Sequence, residues 1–152
     1  MTPEELWRQS GLTGTYEAWA FDDAPDKLAN LVKRGVKTAT CSSYDAYMAT
    51  GEPIPQVGDY SVINDSTGTA VCIIRTTSVH LSPFAQVSAD HAYKEGEGDR
   101  SLEYWRAVHE DFLSRELATI GRTFDKNTPV VCEEFELVMP NPTTMNASDV
   151  ED

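Results

Sequence analysis

Cysteine is scarce in this chain of 152 residues, and the three present, Cys41, Cys72 and Cys132, are an odd number at wide spacing. That excludes a disulfide framework and a CxxC zinc site, and leaves Cys72 and Cys132, in apolar surroundings, as expected reduced core residues. No apolar run approaches the roughly 20 residues that a membrane span needs. Met1 to Gln9 lacks the basic start and apolar stretch of a signal peptide, so the expected location is cytoplasmic. Basic side chains are also few, 12 against 25 acidic ones, for a formal net charge of −13. A field of that sign opposes non-specific binding of long nucleic acid. No glycine-rich phosphate loop of Walker or Rossmann form is present, because "GEGD" and "VGDY" have neither the spacing nor the context. Internal repeats are absent too.

What is there reads as one globular unit. With 40% hydrophobic and 24% charged residues the composition is that of a folded domain, and the length suits a single core. "TPEELW" opens a helix with Thr2 as cap, Pro3 in the first turn and Glu5 completing a capping box; the helix should stop near Gly11. "DDAPDKLANLVKRG" follows the same grammar, with Asp22 or Asp23 as cap, Leu28, Leu31 and Val32 on one face and Gly35 just past the end. "ATGEPIPQVGD" reads as a loop. "YSVIN" and "TAVCIIRTTSV" read as a β-hairpin turned by Asp65 to Gly68. A short helix is expected from Ser88 or Asp90 to a break at Gly96, then a longer one behind a Ser101 cap with Leu102, Trp105, Val108 or His109, and Phe112 at helical spacing. "PVVCEEFELV" is a closing strand in which Phe135 and Leu137 alternate with Glu134 and Glu136, and the acidic tail 140–152 is expected to be disordered. Strands interrupted by helices without regular alternation predict an α+β protein with a small curled sheet or barrel.

Three groups of residues carry chemistry. Lys37, Thr38 and Thr40 follow a helix end, next to Ser42, and a lysine whose pKa is lowered by burial could take a hydroxyl proton or hold an oxyanion. Short K-x-x-T patterns are common, and the same residues also suit a strand start with a solvated lysine. Glu95, Glu97 and Asp99 alternate with glycines, which lets backbone approach a ligand while a carboxylate shuttles protons; a solvated acidic loop is the other reading. His91 and Glu95 could share a helical face, but no third metal ligand is placed by spacing. Trp105, Arg106 and His109 could line a pocket wall suited to a nucleobase, or Trp105 could fill the core with Arg106 and His109 paired to carboxylates. Lys27, Lys33, Arg34 and Lys37 gather a third of the basic residues within eleven positions, a place where a small anionic or polar ligand or a short RNA could be held.

Together, "LANLVKRGVKTATCS", "GEPIPQVGDYSVI", "HAYKEGEGDRSLEYWRAVHEDF" and "VVCEEFELV" resemble the ASCH domain family from about Trp19 to Val138. The most specific parts are G-x-K-T-x-T and E-G-E-G-D-x-S-x-x-x-W-R-x-x-H. The resemblance implies a PUA-like small mixed β-barrel with flanking helices over 19–139, after an N-terminal helical segment 1–18. Functionally it implies either RNA binding of PUA type or, as in some small bacterial members, an amidohydrolase that deacetylates 4-acetylcytidine. The amidohydrolase roles map onto Lys37, Thr40 and Glu95, with Thr40 attacking the acyl carbonyl, Lys37 activating it and Glu95 protonating the leaving amine. Thr38, Ser42, Glu97, Trp105, Arg106 and His109 are then the expected substrate contacts, with no cofactor and no resident metal. The characterised amidohydrolases are shorter and lack the two segments around Glu97 and Trp105, which places this chain in a longer branch. A further bacterial member is similar to a metal-assisted ribonuclease, for which Glu95, Glu97 or His109 would hold the cation.

Overall fold

The computed structural model describes residues 1–140. Helix α1 (Pro3–Ser10) begins as expected, with Thr2 and Glu5 forming both halves of the capping box, and ends at Gly11 in the left-handed region. Strand β1 (Glu17–Trp19) and helix α2 (Pro25–Lys33) follow. The α2 cap differs from expectation: Ala24, itself left-handed at φ 46°, occupies the position and no side chain caps the helix. Asp23 is instead drawn to Arg115 on a distant helix.

Strand β2 (Ala39–Ser43) carries the hydroxyl-rich motif, and the next residues form helix α3 (Tyr44–Thr50), capped by Ser43 and ended by Gly51. The sequence reading missed this helix because none of its residues is buried, so it has no apolar stripe to read. Strands β3 (Tyr60–Asn64) and β4 (Ala70–Pro83) form the expected hairpin. Asp65 closes its turn by accepting from the backbone N–H groups of Thr67 and Thr69. After a short 3-10 turn come α4 (Ala89–Glu95), capped by Ser88, α5 (Leu102–Thr119), capped by Ser101, and strand β5 (Pro129–Met139).

The five strands make one curled, half-barrel sheet in the order β1-β3-β4-β5-β2. Among the described strands only the β1–β3 pair is parallel. Three apolar clusters fix the helices to it. Leu6 of α1 packs on Val62 and Ile73, Ala29 and Val32 of α2 pack on Ile63, Ile74 and Phe135, and Trp105 and Leu113 of α5 pack on Phe84, Val130 and Cys132. Cys41, Cys72 and Cys132 are all free and buried, and burial pushes the Cys72 thiol up to about 12. No described helix is long and apolar enough to cross a membrane. The expected disordered tail lies outside the described residues, apart from Pro140.

Candidate functional site

Lys37 leaves the α2 helix end and enters the protein rather than the solvent, with 1% of its surface exposed. Two backbone contacts aim it. Thr38 N–H donates to Lys94 O at 2.7 Å, and Thr38 O accepts from Phe135 N–H at 3.0 Å, so the start of β2 is clamped between the end of α4 and β5. Gly96, at φ 73°, ends α4 against Val36: a Cβ there would lie 2.6 Å from Val36 O. Gly98 passes equally close to the Tyr104 ring. The glycines of E-G-E-G are thus where the backbone must approach a neighbour, and they leave Glu95 and Glu97 on either side of one ammonium.

Lys37 Nζ stands 3.2 Å from Glu95 Oε1 and 2.8 Å from Glu97 Oε2. Burial by itself would lower the Lys37 pKa, but the fields and hydrogen bonds of the two carboxylates outweigh it and raise the pKa above the ordinary value. Lys37 is therefore an ammonium, the reverse of the lowered amine expected from burial alone. Glu95 is 1% exposed and is surrounded by donors. Its Oε1 faces Lys37 and His109 Nε2, the latter at 3.3 Å; its Oε2 accepts from Trp105 Nε1–H at 2.7 Å and faces His91 Nε2 at 2.8 Å. Burial pushes its carboxyl up, yet the Lys37 charge and the His109 and His91 hydrogen bonds prevail and hold it well below the usual carboxylate range.

His109 Nδ1 faces Trp105 O at 2.9 Å while Nε2 faces Glu95. A carbonyl and a carboxylate can only accept, so this placement favours the ring form in which both nitrogens carry hydrogen. Burial opposes that charge, but the hydrogen bond and field of Glu95 raise the His109 pKa. The Lys37 ammonium thus meets two carboxylates, and a charged His109 adds to the compensation of Glu95. The His109 ring also stacks on Trp105 with centroids 4.3 Å apart.

This cluster forms one end of a cleft of about 1310 Å³, lined also by Thr40, Ser42, Tyr47, Thr76 and Glu133. Nine of its lining residues are acidic, against one lysine and no arginine. The expected site residues divide accordingly. Lys37, Thr40, Ser42, Glu95, Glu97 and His109 line the cleft, whereas Thr38, Trp105 and Arg106 do not. Thr38 is engaged through its backbone and its hydroxyl turns to Lys94 O at 3.4 Å. Trp105, 3% exposed, is a core residue stacked on Phe84 that reaches the site only through its indole N–H. Arg106 is exposed on the outer face of α5 and donates to Ala85 O. The Thr40 hydroxyl has no hydrogen-bond partner among the described residues and is open to the cleft, while Ser42 pairs with the Tyr47 hydroxyl at 3.1 Å. Among the described residues no three His, Cys, Asp or Glu side chains are grouped to hold a metal ion.

Glu133 is the site residue that the sequence reading missed. It is 7% exposed, accepts from Thr76 Oγ1–H at 2.6 Å and sits directly opposite Thr40 in the β2–β5 pairing. The signal was available in the strand period: positions 133, 135 and 137 share a face, so the face of Phe135 that enters the core carries a carboxylate with it.

The model of the ASCH domain matches residues 17–139. The chain belongs to the ASCH domain family. An ASCH domain from Lactobacillus crispatus JV V101 is 34% identical, with a TM-score of 0.82 over 89% of this chain and 92% of that one. A protein of Enterococcus faecalis V583 is also 34% identical, with a TM-score of 0.80 over 90% and 89%. A more distant hypothetical protein, 18% identical at a TM-score of 0.55, shares the fold alone. No curated protein matches the chain. The family model begins at the first residue of β1, so this ASCH domain includes the parallel edge strand, and α1 packs on the domain's own β3 and β4.

Proposed function

We propose that this ASCH domain hydrolyses the amide of a small uncharged N-acylated pyrimidine nucleoside of the 4-acetylcytidine kind. The observation that carries the reading is the buried Lys37 ammonium, held by two carboxylates at the wall of a cleft into which the unpartnered Thr40 hydroxyl also opens. The acidic lining supports an uncharged substrate, because a phosphate would meet like charge on most sides.

The resting ammonium cannot accept the proton of Thr40, so the cycle begins with a transfer. A substrate that fills the cleft displaces water and lowers the local dielectric, which favours a neutral amine and acid over an ion pair. The proton then passes from Lys37 Nζ to Glu97 Oε2, 2.8 Å away. Thr40 Oγ1 adds to the acyl carbon and gives its proton to Lys37, which becomes an ammonium again and donates to the oxyanion. As the C–N bond breaks, the Glu97 carboxyl protonates the departing nitrogen. Water adds to the acyl-threonine ester, Thr40 recovers its proton and the carboxylic acid leaves. Glu95, already saturated by four donors, acts in this scheme as a positioning residue that fixes Lys37 and His109.

Chromatography of 4-acetylcytidine incubated with the purified protein tests the reading. Turnover is expected in the wild type and is expected to fall at least about 100-fold in Lys37→Ala, Thr40→Val and Glu97→Gln. Full activity in Lys37→Ala, or none in the wild type, removes it.

A further inference from the structure

The cleft also holds a polar side chain, Glu133, that the scheme above does not use. Glu133 is nine-tenths buried, yet only one of its oxygens is engaged within the protein: Oε2 accepts from Thr76, itself 1% exposed, at 2.6 Å. Oε1 has no partner among the described residues and the residue lines the cleft. Oε1 is open to the cleft and not sealed in the core, so it is an acceptor that a ligand can take over from water. Burial pushes the Glu133 carboxyl up, the Thr76 hydrogen bond works against that, and Asp59 adds to the rise. The groups around it are hydroxyls and acids: Thr40 across the strand pair, Thr76 on β4, and Tyr47 on α3, whose phenol is itself held up by burial and by the field of Glu133. Among the described residues Lys37 is the one lysine or arginine that lines the cleft, and it is taken by Glu95 and Glu97.

A hydrogen-bond donor on the ligand fits this open acceptor, and the N–H of the nucleoside amide proposed above is one. We infer that Glu133, oriented by Thr76, is the anchor that accepts the amide N–H of the substrate and thereby sets the acyl carbon beside Thr40. Residues directly opposite in an antiparallel pair project to the same face with Cβ atoms about 5 Å apart. Thr40 and Glu133 are such a pair. In an N-acylated amine the nitrogen and the acyl carbon are one bond apart, so a nitrogen held at Glu133 brings its carbonyl to the threonine on the neighbouring strand. The substrate class that follows is an unphosphorylated N-acyl compound that keeps an N–H beside the acyl carbon, as the nucleoside proposed above does. Esters and tertiary amides, which have no N–H to offer, are excluded.

The inference rests on the hydrolase reading for the direction in which the acyl group points, but its anchoring part is separable by binding alone. Calorimetric titration of the whole chain with cytidine, which keeps the exocyclic N–H and has no acyl group to cleave, is the experiment. Glu133→Ala is expected to weaken cytidine binding at least about tenfold. Glu133→Gln, which retains an acceptor oxygen and a partner for Thr76, should stay within about threefold. Thermal midpoints measured alongside separate binding from folding, and Glu133→Met repeats the comparison if the alanine variant does not fold. No cytidine binding by the wild type, unchanged binding in Glu133→Ala, or a glutamine variant as weak as the alanine one overturns the anchor. Absence of turnover with Glu133-dependent binding retained would remove only the hydrolase reading, whereas turnover with an unchanged KM in Glu133→Ala would remove only the anchor.

Discussion

At the scale of single residues the site is governed by how buried charge is compensated. Glu95 accepts four donors and contributes no donor of its own, so Glu95→Gln must turn an N–H2 group toward either Lys37 and His109 or Trp105 and His91. Breaking a buried ion pair in this way costs about 3 to 5 kcal/mol. Urea unfolding of the variant is expected to show a loss of that order, and a loss below about 1 kcal/mol would mean that the cluster is wetter than its burial implies. His109 gives a pH signature. Its folded pKa is raised above the ordinary histidine value of 6.5, so the folded state binds this proton more tightly than the unfolded one. The stabilisation is complete below about pH 6.5 and is lost as pH rises through the folded pKa. Glu95 acts at the other end: its folded pKa is lowered, so its contribution is present above the ordinary carboxyl value of 4.5 and is lost as pH falls through the folded value. Unfolding free energy measured across pH should therefore decline on the alkaline side in the wild type, and the decline should shrink in His109→Gln.

At the scale of elements, three helix ends do the positioning. The α2 end delivers Lys37, the α4 end delivers Glu95 and Glu97, and the start of α5 supplies Trp105 and His109. The junction depends on Gly96, where a side chain would meet backbone and not a movable group. Gly96→Ala should lower stability by about 1 to 3 kcal/mol through its positive φ and the forced shift of Val36. It should also reduce turnover more than Ser88→Ala, which removes only the α4 cap at a cost of about 1 kcal/mol. Calorimetric unfolding and the nucleoside assay on both variants separate the two effects; equal activities would show that the glycine serves folding alone. The N-terminal signals of α1, α4 and α5 were plain in Thr2, Ser88 and Ser101, because a capping hydroxyl is a local feature. Helix α3 and the three-residue β1 were not legible: one buries no residue and the other is held by its parallel pairing with β3, a contact across more than forty positions.

At the scale of the whole molecule, net charge and cleft charge have the same sign. With −13 overall and a single lysine among the basic lining residues, an uncharged nucleoside should bind with little dependence on salt. Its 5′-monophosphate should bind more weakly and tighten as added salt screens the repulsion. Titrations of cytidine and cytidine 5′-monophosphate between about 50 and 500 mM salt check this; a nucleotide that binds more tightly at low salt would point to a basic contact outside the cleft.

The sequence by itself determined the α+β class, the hairpin, the capped starts of α1, α4 and α5 and the nomination of Lys37, Thr40, Glu95 and Glu97. These rest on periodicity, on capping chemistry and on motifs whose residues are near one another in the chain. Only the tertiary structure decided the charge states and the membership of the site. Whether a lysine is an amine or an ammonium depends on carboxylates some 60 residues away. Whether Trp105, Arg106 or Glu133 faces the cleft depends on how α5 and β5 lie against the sheet. Fields and hydrogen bonds act through space over a few ångströms, and chain order does not say which groups will share those ångströms.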